Sequence, residues 1–316
     1  MTAAKGTTTG RQRWWSSPAM RREMRWGLVF LLPWIIGFVV FTAGPMIWSL
    51  VISMTDYDPL RGNVNFVGTA NYERMLADPT ARRALNNTLF FTMLNVPGTV
   101  IVGLFLALLL NRVGGRAAGL FRTVFYLPNV TPAVAIGVLF LLVLHGQGLL
   151  NTLLRAVGVA NPPFWLTDPN WVMPAIIIMA LWTTGASVII LFAAIRNVPL
   201  DMYEAARIDG ANGWQQFKSI TVPFISGPLF FVIVVNIIAS LQIFTEVWAM
   251  FQGRPSAGPS AQRASLMYVP YLFQRAFQDF QLGYASALAW GLFVVVLGIT
   301  LVQLWLSKRW VYYEDK

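Results

Sequence analysis

The stretch EAARIDGANGWQQFKSITVP, residues 204–223, is a polar interruption between two long apolar segments. It carries four charged side chains, at Glu204, Arg207, Asp209 and Lys218. The segment after it contains FVIVVNIIA at 231–239, a continuous apolar run without the period-two alternation of a half-buried strand. This contrast predicts helices that lie in a lipid bilayer and a chain that returns to water within residues 196–223.

The composition as a whole also indicates a membrane protein. Hydrophobic residues make up 56% of the 316 residues and charged residues only 11%, with a mean hydropathy of +0.59. A soluble domain carries about 25% charged residues. The net charge of +10 therefore reports on membrane topology, and no nucleic-acid partner is expected. The absence of cysteine and the single histidine exclude a disulfide framework and a zinc site of the usual spacing.

Six apolar segments are long enough to cross a hydrocarbon core of about 30 Å as helices. The predicted fold class is all-α, an integral membrane protein with six transmembrane helices over 28–306, a basic tail at 1–27 and a second tail at 307–316. The six spans lie near residues 28–54, 88–110, 123–144, 172–195, 224–244 and 284–306.

The distribution of lysine and arginine predicts the orientation of these spans. Fifteen of them lie in the two tails and in the loops at 111–122 and 196–223, against eight in the longer segments on the opposite side. By the positive-inside rule, both termini and the 196–223 loop face the cytoplasm. The basic residues also make membrane lipid an expected partner.

The residues missing from the spans limit the mechanism. None of the six contains Asp, Glu, Lys, Arg or His, which disfavours an ion-coupled carrier and an enzyme with acid–base or metal chemistry at membrane depth. No lysine follows a glycine, so the chain has no phosphate-binding Gly-Lys-Ser/Thr loop and any energy for uphill transport must come from another chain. We expect no catalytic residue and no metal site. An ion-coupled carrier remains the alternative, with the 204–223 loop only an interfacial helix.

The polar interruption itself predicts a short helix and a sharp turn. Pro199 suits a first helical turn, and Gly210 is placed to end the helix in a left-handed cap. Pro223 then begins the fifth span. A tilt of the short helix would therefore move a membrane helix with it.

Two interpretations of this short helix are equally good from the residues alone. Ala205 and Ala206 leave one face almost free of side chains, which allows close approach by another backbone and indicates a docking surface. Alternatively, Asp201 and Glu204 form a simple capping box on a helix that rests at the membrane interface.

The spacing over 204–223 resembles the EAA signature of importer permeases of the ATP-binding cassette (ABC) type. That signature reads Glu-Ala-Ala, Gly, then Ile-x-Leu-Pro, and Val222 for Leu is the single departure. Other segments are similar to the carbohydrate-uptake branch, in particular the subunit of the maltose-permease F type, which has the MetI-like permease fold. They are FVGTANY at 66–72, FYLPNVTPAVAIG at 125–137, GLLN at 148–151 and YEAARIDGA at 203–211.

The resemblance implies the rest of a bacterial plasma-membrane importer. Its partners would be a second, homologous permease chain, two ATPase subunits and an external solute-binding protein that delivers a sugar or a glycerol-phosphate-like solute. ATP and magnesium would bind the ATPase, with no cofactor on this chain. In this family the EAA helix docks in a cleft of the ATPase. The residues implied in this coupling are Glu204, Ala205, Ala206, Arg207, Asp209 and Gly210.

Uncharged polar residues in the spans are candidates for the substrate path. Their amides and hydroxyls fit sugar hydroxyls, although such groups also commonly join helices within lipid. The candidates are Asn95, Thr183, Asn236, Ser240 and Gln242, with Thr184 as a further position. Trp182 or Tyr126 could stack on the face of a sugar ring.

One segment departs from the family pattern. Relatives often read Met-Thr-x-Gly-Gly-Pro after the fifth span, whereas residues 250–255 read MFQGRP. The role of this external loop in substrate passage is therefore open.

Overall fold

The long apolar segments of the sequence form helices, as the composition predicts. The computed structural model describes residues 18–62, 64–113, 115–253 and 258–311. Within these ranges the only strand-like feature is an isolated antiparallel bridge between Thr55 and Phe66. The all-α prediction is confirmed.

The chain divides into two units, residues 1–52 and 53–316. The first unit contains α1 (Pro18–Phe38), a π-helical turn (Val39–Ala43) and most of α2 (Gly44–Ser53). Within these elements Arg22–Ser53 is long and apolar enough to cross a membrane.

The second unit is built around two long helices, α4 (Pro79–Arg112) and α17 (Leu282–Trp310), each long and apolar enough to span. Helix α4 packs against α9 (Gly185–Arg196) and α13 (Ser226–Leu241). The remaining helices are α3 (Ala70–Ala77), α5 (Gly115–Val130), α6 (Ala133–Val143), α7 (Leu149–Ala156), α8 (Pro169–Trp182), α9 (Gly185–Arg196), α10 (Leu200–Ile208), α11 (Gly213–Gln216), α12 (Val222–Phe224), α13 (Ser226–Leu241), α14 (Thr245–Val247), α15 (Pro259–Ser265) and α16 (Tyr268–Phe273), with π-helical turns at Phe217–Thr221, Trp248–Gln252 and Gln274–Gln278.

Three of the predicted spans are bent pairs of helices rather than single rods. The pairs are Ala117–Val130 with Ala133–Val143, bent by 102°, Pro169–Trp182 with Gly185–Arg196, bent by 48°, and Gly213–Phe224 with Ser226–Leu241, bent by 69°. The described residues thus contain three continuous spans, or up to six if each bent pair crosses once. Two of the bends fall inside the predicted spans 123–144 and 172–195, and the third falls at the start of the span 224–244.

Each bend has an identifiable cause. Thr131 precedes Pro132, and a residue before proline is disfavoured in the helical region, so α5 ends there. At the second bend Gly185 lies against the carbonyl of Phe125 on α5. At the third, Ser226 Oγ donates to the carbonyl oxygen of Pro223 at 2.7 Å while the side chain of Ile225 is fully buried. Bends are thus fixed by proline and by tertiary packing.

Buried apolar side chains form three clusters. One joins α4, α6, α8 and α15, and it includes Phe251. A second joins the far part of α4 to α9, the 196–223 loop and α13, and we call it the loop-side cluster. A third joins the start of α4 to α16 and α17. Phe251 is therefore a core residue. Residues 254–257 of the loop that departs from the family pattern lie outside the described residues.

Candidate functional site

A polar cavity of about 320 Å³ lies between α4, α8, α13 and the segment that follows α13. We call it the central cavity. Its polar lining comprises Asn95, Thr99, Thr183, Thr184, Asn236, Ser240, Gln242, Thr245 and Glu246, and its apolar lining includes Phe91, Ile136, Met179 and Phe244.

The cavity brings together residues that are far apart in the chain. Five of the six predicted substrate-path residues line it, and Trp182 is the exception. Trp182 instead packs edge-on against Phe140, with ring centroids 5.5 Å apart, and lines a separate apolar cavity of about 320 Å³ beside α5. Tyr126, a further candidate, lines neither of these cavities and is exposed.

The two asparagines join helices as well as lining the cavity. Asn95 Nδ2 donates to Ser240 Oγ at 3.0 Å, which ties α4 to α13. Asn236 Nδ2 donates to Ser187 Oγ at 3.1 Å and to the carbonyl oxygen of Val232 at 2.8 Å. Asn95 Oδ1, however, is buried and accepts no hydrogen bond from the described residues. Because an unpaired buried acceptor costs about 1–3 kcal/mol, this oxygen favours a donor inside the cavity.

The cavity threonines are already engaged as donors. Thr183 Oγ1 donates to the carbonyl oxygen of Ala180 at 2.8 Å, and Thr184 Oγ1 donates to that of Leu181 at 2.6 Å. The same carbonyls accept from the backbone N–H groups of Thr183 at 3.2 Å and Thr184 at 3.3 Å, so the hydroxyls add to the bonds that close the end of α8. Each hydroxyl oxygen keeps lone pairs, so the threonines offer acceptors to a solute.

Glu246 was missed by the sequence prediction. The fifth span was placed at 224–244, but α13 ends at Leu241 and a new helix starts at Thr245, which brings Glu246 to the cavity wall. A single acidic residue inside the apolar run IFTEVWAM at 243–250 was the available signal.

The second candidate region is residues 196–223, for which the family resemblance implies coupling to an ATPase, and we call it the coupling loop. Helix α10 ends at Ile208, and Gly210, which follows the C-terminal cap residue Asp209, has a left-handed φ of +80°, as predicted. The Ala211 N–H donates to the carbonyl oxygen of Ala206 at 2.8 Å and the Gly210 N–H donates to that of Arg207 at 3.1 Å. This pair of bonds is the Schellman arrangement that closes a helix on a glycine.

The start of α10 differs from the prediction. Pro199 is the N-terminal cap residue, with no side-chain capping bond, so the capping box expected from Asp201 and Glu204 does not form. A capping box instead begins α11, where Asn212 Oδ1 accepts from the Gln215 N–H at 2.9 Å and Gln215 Oε1 accepts from the Asn212 N–H at 2.7 Å.

The two alanines of the loop face different surroundings. Ala206 packs against the loop-side cluster together with Tyr203, whereas Ala205 is exposed. Neighbouring helical residues point about 100° apart, so the two do not share a face. Glu204, Arg207 and Asp209 are exposed with Ala205.

The coupling loop is joined to α13 without a flexible link. The Tyr203 and Thr221 hydroxyls are hydrogen-bonded at 2.9 Å, and Ile220 and Ile225 are buried in the loop-side cluster. The helical segment from Gly213 to Phe224 then bends by 69° into α13. Helix α13 carries Asn236 and Ser240 on the cavity wall, so the loop and the cavity share one element.

Membrane-length helices around a polar cavity, with an adjoining polar loop packed on the helix that lines it, define a membrane transport component. The chain belongs to the family of binding-protein-dependent transport system inner membrane components, whose profile matches residues 99–312. It is a permease component of a transport system, and its relatives are likewise named as transport permeases.

Relatives cover nearly the whole chain. The probable ABC transporter permease protein YesP of Bacillus subtilis (strain 168) is 35% identical over 302 residues, 95% of this chain and 96% of the relative. The lactose transport system permease protein LacF of Rhizobium radiobacter is 34% identical over 90% of this chain and 94% of its own length.

Among solved structures, a bacterial alginate ABC transporter bound to an alginate-loaded periplasmic protein has a chain that superposes with a TM-score of 0.80 at 25% identity, covering 94% of this chain and 98% of that one. In another structure, an ABC transporter described as importing the acidic polysaccharide alginate, a chain superposes with a TM-score of 0.79 at 25% identity, over 92% of this chain and 97% of that one. The predicted family and its permease fold are confirmed.

Proposed function

We propose that this chain is the permease subunit of a sugar importer of the ABC type. It would form half of the transmembrane path and pass a sugar delivered by an external binding protein. The sugar assignment is supported by the uncharged amides and hydroxyls that converge on the central cavity from α4, α8 and α13. Lactose, arabinooligosaccharide and trehalose/maltose permeases among the relatives agree with it.

The observation that supports this mechanism is that α13 adjoins the coupling loop and also lines the central cavity. A push on α10 reaches Thr221 through the Tyr203 hydroxyl and reaches Ile220 and Ile225 through packing, and both routes lead into α13. Helix α13 forms part of the cavity wall. Packed cores shift between discrete arrangements rather than deforming continuously, so such a push favours a change in which side of the cavity is open.

The same proposal implies the other subunits of the importer. A second permease chain completes the path, and two ATPase subunits dock on the exposed face that carries Glu204, Ala205, Arg207 and Asp209. ATP and magnesium bind the ATPase and not this chain. With six spans, both termini and the coupling loop would lie in the cytoplasm, and the positive-inside count supports this orientation.

Charge reversal at the docking face tests the proposal. Glu204→Lys should abolish ATP-driven sugar uptake in proteoliposomes and uncouple ATP hydrolysis from the binding protein, with membrane insertion intact. Gly210→Ala should act in the same direction, because a left-handed alanine costs about 1 kcal/mol and displaces the turn.

Glu23→Lys is the matched control, since this exposed glutamate lies on α1 and outside the coupling loop. It should leave uptake unchanged. Normal transport by both Glu204→Lys and Gly210→Ala would contradict the docking role.

A further inference from the structure

We propose that Glu246 makes the central cavity select uncharged polyhydroxylated solutes and reject acidic ones such as uronates and sugar phosphates. The inference rests on the proposed function and names the charge class of its substrate. Glu246 is the only titratable residue among the described residues that line the cavity.

The position of Glu246 is fixed by close backbone packing. Helix α6 approaches the segment after α13 at Gly137, where an added Cβ would lie 2.9 Å from the Ala249 Cβ and 3.2 Å from the Glu246 carbonyl oxygen. Only a residue without a side chain permits this approach. The contact holds the backbone of Glu246 against α6, and Glu246 is one of the residues that line the cavity.

Nothing in the described part of the chain neutralises this carboxylate. The ion pairs found there are Arg61 with Asp58 and Arg275 with Asp279, and neither involves Glu246. The described cavity lining includes no lysine, arginine or histidine. The cavity therefore has a negative potential, which is stronger between apolar walls than in open water.

The neighbouring groups fit a neutral sugar. An ionised carboxylate only accepts hydrogen bonds, and Asn95 Oδ1 is a second acceptor without a partner in the described chain, so both suit the hydroxyl donors of a sugar. Phe244 lines the same wall, with its ring centroid 5.0 Å from that of Phe273, and offers an apolar surface to a sugar ring.

An acidic solute meets the opposite conditions. Two like charges about 10 Å apart in a partly buried site repel enough to change an equilibrium about tenfold, and the lining offers no cation in compensation. The alginate importer of similar fold takes an acidic polysaccharide, so the fold itself does not decide the charge of the solute. The side chains that line the cavity decide the charge of the solute, and in this chain they favour neutral sugars over glycerol-phosphate-like solutes.

The natural absence of cysteine allows a direct measurement of this potential. Thr183→Cys and, separately, Gln242→Cys place a reporter thiol in the cavity wall of the full-length chain, purified in nanodiscs with its co-purifying partner chains. The reaction rate of each reporter is measured with a trimethylammonium and with a sulfonate methanethiosulfonate reagent. Adding Glu246→Gln should lower the ratio of cationic to anionic rates about tenfold.

Glu73→Gln, which removes an exposed carboxylate on α3, is the control and should leave the ratio unchanged. A ratio that does not respond to Glu246→Gln would overturn the proposal. So would reporters at both positions that react with neither reagent, because the cavity would then be closed to charged solutes. The ratio requires neither ATP nor sugar, so its result is independent of the uptake assay.

Discussion

Gly185 lies at the bend between α8 and α9 and allows the close approach of α5 there. A Cβ there would lie 2.0 Å from the carbonyl oxygen of Phe125 and 2.6 Å from the side-chain amide group of Asn129. With its amide oriented to donate to the Thr183 carbonyl oxygen at 3.0 Å, Asn129 also accepts from the Gly185 N–H at 3.2 Å. One glycine and one amide therefore hold α5 against the break beside the cavity.

Gly185→Ala should destabilise the protein by about 3 kcal/mol or more, because backbone and not a flexible side chain must move to admit the methyl group. Thermal unfolding of the detergent-solubilised protein measures the effect. Gly298→Ala in α17, where an added Cβ meets nothing within 4 Å, should be neutral. Equal unfolding temperatures for the two variants would show that the close approach at Gly185 is absent.

At the scale of an element, helix α10 has one face on the loop-side cluster and one exposed face. Ala206→Leu should lower the unfolding temperature of the chain, since the added atoms must enter packed core, at a cost of about 1–3 kcal/mol. Ala205→Leu should leave stability unchanged and reduce ATP-driven uptake, because it alters only the docking face.

These two variants are each other's control, as they place the same side chain one residue apart. Measuring unfolding and uptake for both separates packing from docking. If Ala205→Leu transports normally, the exposed face of α10 does not bind the ATPase.

A second feature at this scale is Asp78, which caps α4 and accepts hydrogen bonds from two tyrosines. It accepts from the N–H groups of Thr80 at 2.8 Å and Ala81 at 3.3 Å, and from the hydroxyls of Tyr271 and Tyr284, the latter at 2.7 Å. Partial burial of Asp78 opposes ionisation, but these hydrogen bonds outweigh it and lower its pKa below the ordinary 3.8. Asp78 thereby joins the start of α4 to α16 and α17.

Asp78→Ala should cost about 1–3 kcal/mol at neutral pH, because it removes a cap and leaves two buried tyrosine hydroxyls without their acceptor. Asp168→Ala removes a cap of α8 that accepts from the Asn170 N–H, and should cost less. Because the folded-state pKa of Asp78 is depressed, its contribution is complete above about pH 4 and is lost as pH falls through that pKa. Unfolding temperatures of wild type and Asp78→Ala should therefore converge in acid, and a constant difference would contradict the assignment.

The elements also show what the sequence does and does not predict. Apolar length and composition were sufficient for the helical class, and Gly210 was predicted to end α10 because left-handed backbone favours glycine. The bend at residues 183–185 was not predicted, since its cause is the carbonyl of Phe125, which is distant in sequence. Glu246 was missed for a related reason: the end of α13 at Leu241 has no proline or glycine to mark it.

At the scale of the molecule, residues chosen from separate spans lie together. Asn95, Thr183, Asn236, Ser240 and Gln242 were chosen because their amides and hydroxyls could hydrogen-bond sugar hydroxyls, and all five line one cavity. Trp182 was chosen for its ring, and it packs elsewhere because tertiary contacts set its direction. Which residues touch a solute remains a prediction.

The central claim is that ATP-driven force on the coupling loop changes which side of the central cavity is open. A Gln242→Cys reporter in proteoliposomes of the complete importer measures this most directly, by labelling with a membrane-impermeant thiol reagent from either side, with and without trapping by ATP and vanadate. We expect the labelled side to switch on trapping, and Glu204→Lys to prevent the switch. A reporter labelled from the same side in both states, or a switch that persists in Glu204→Lys, would contradict the account.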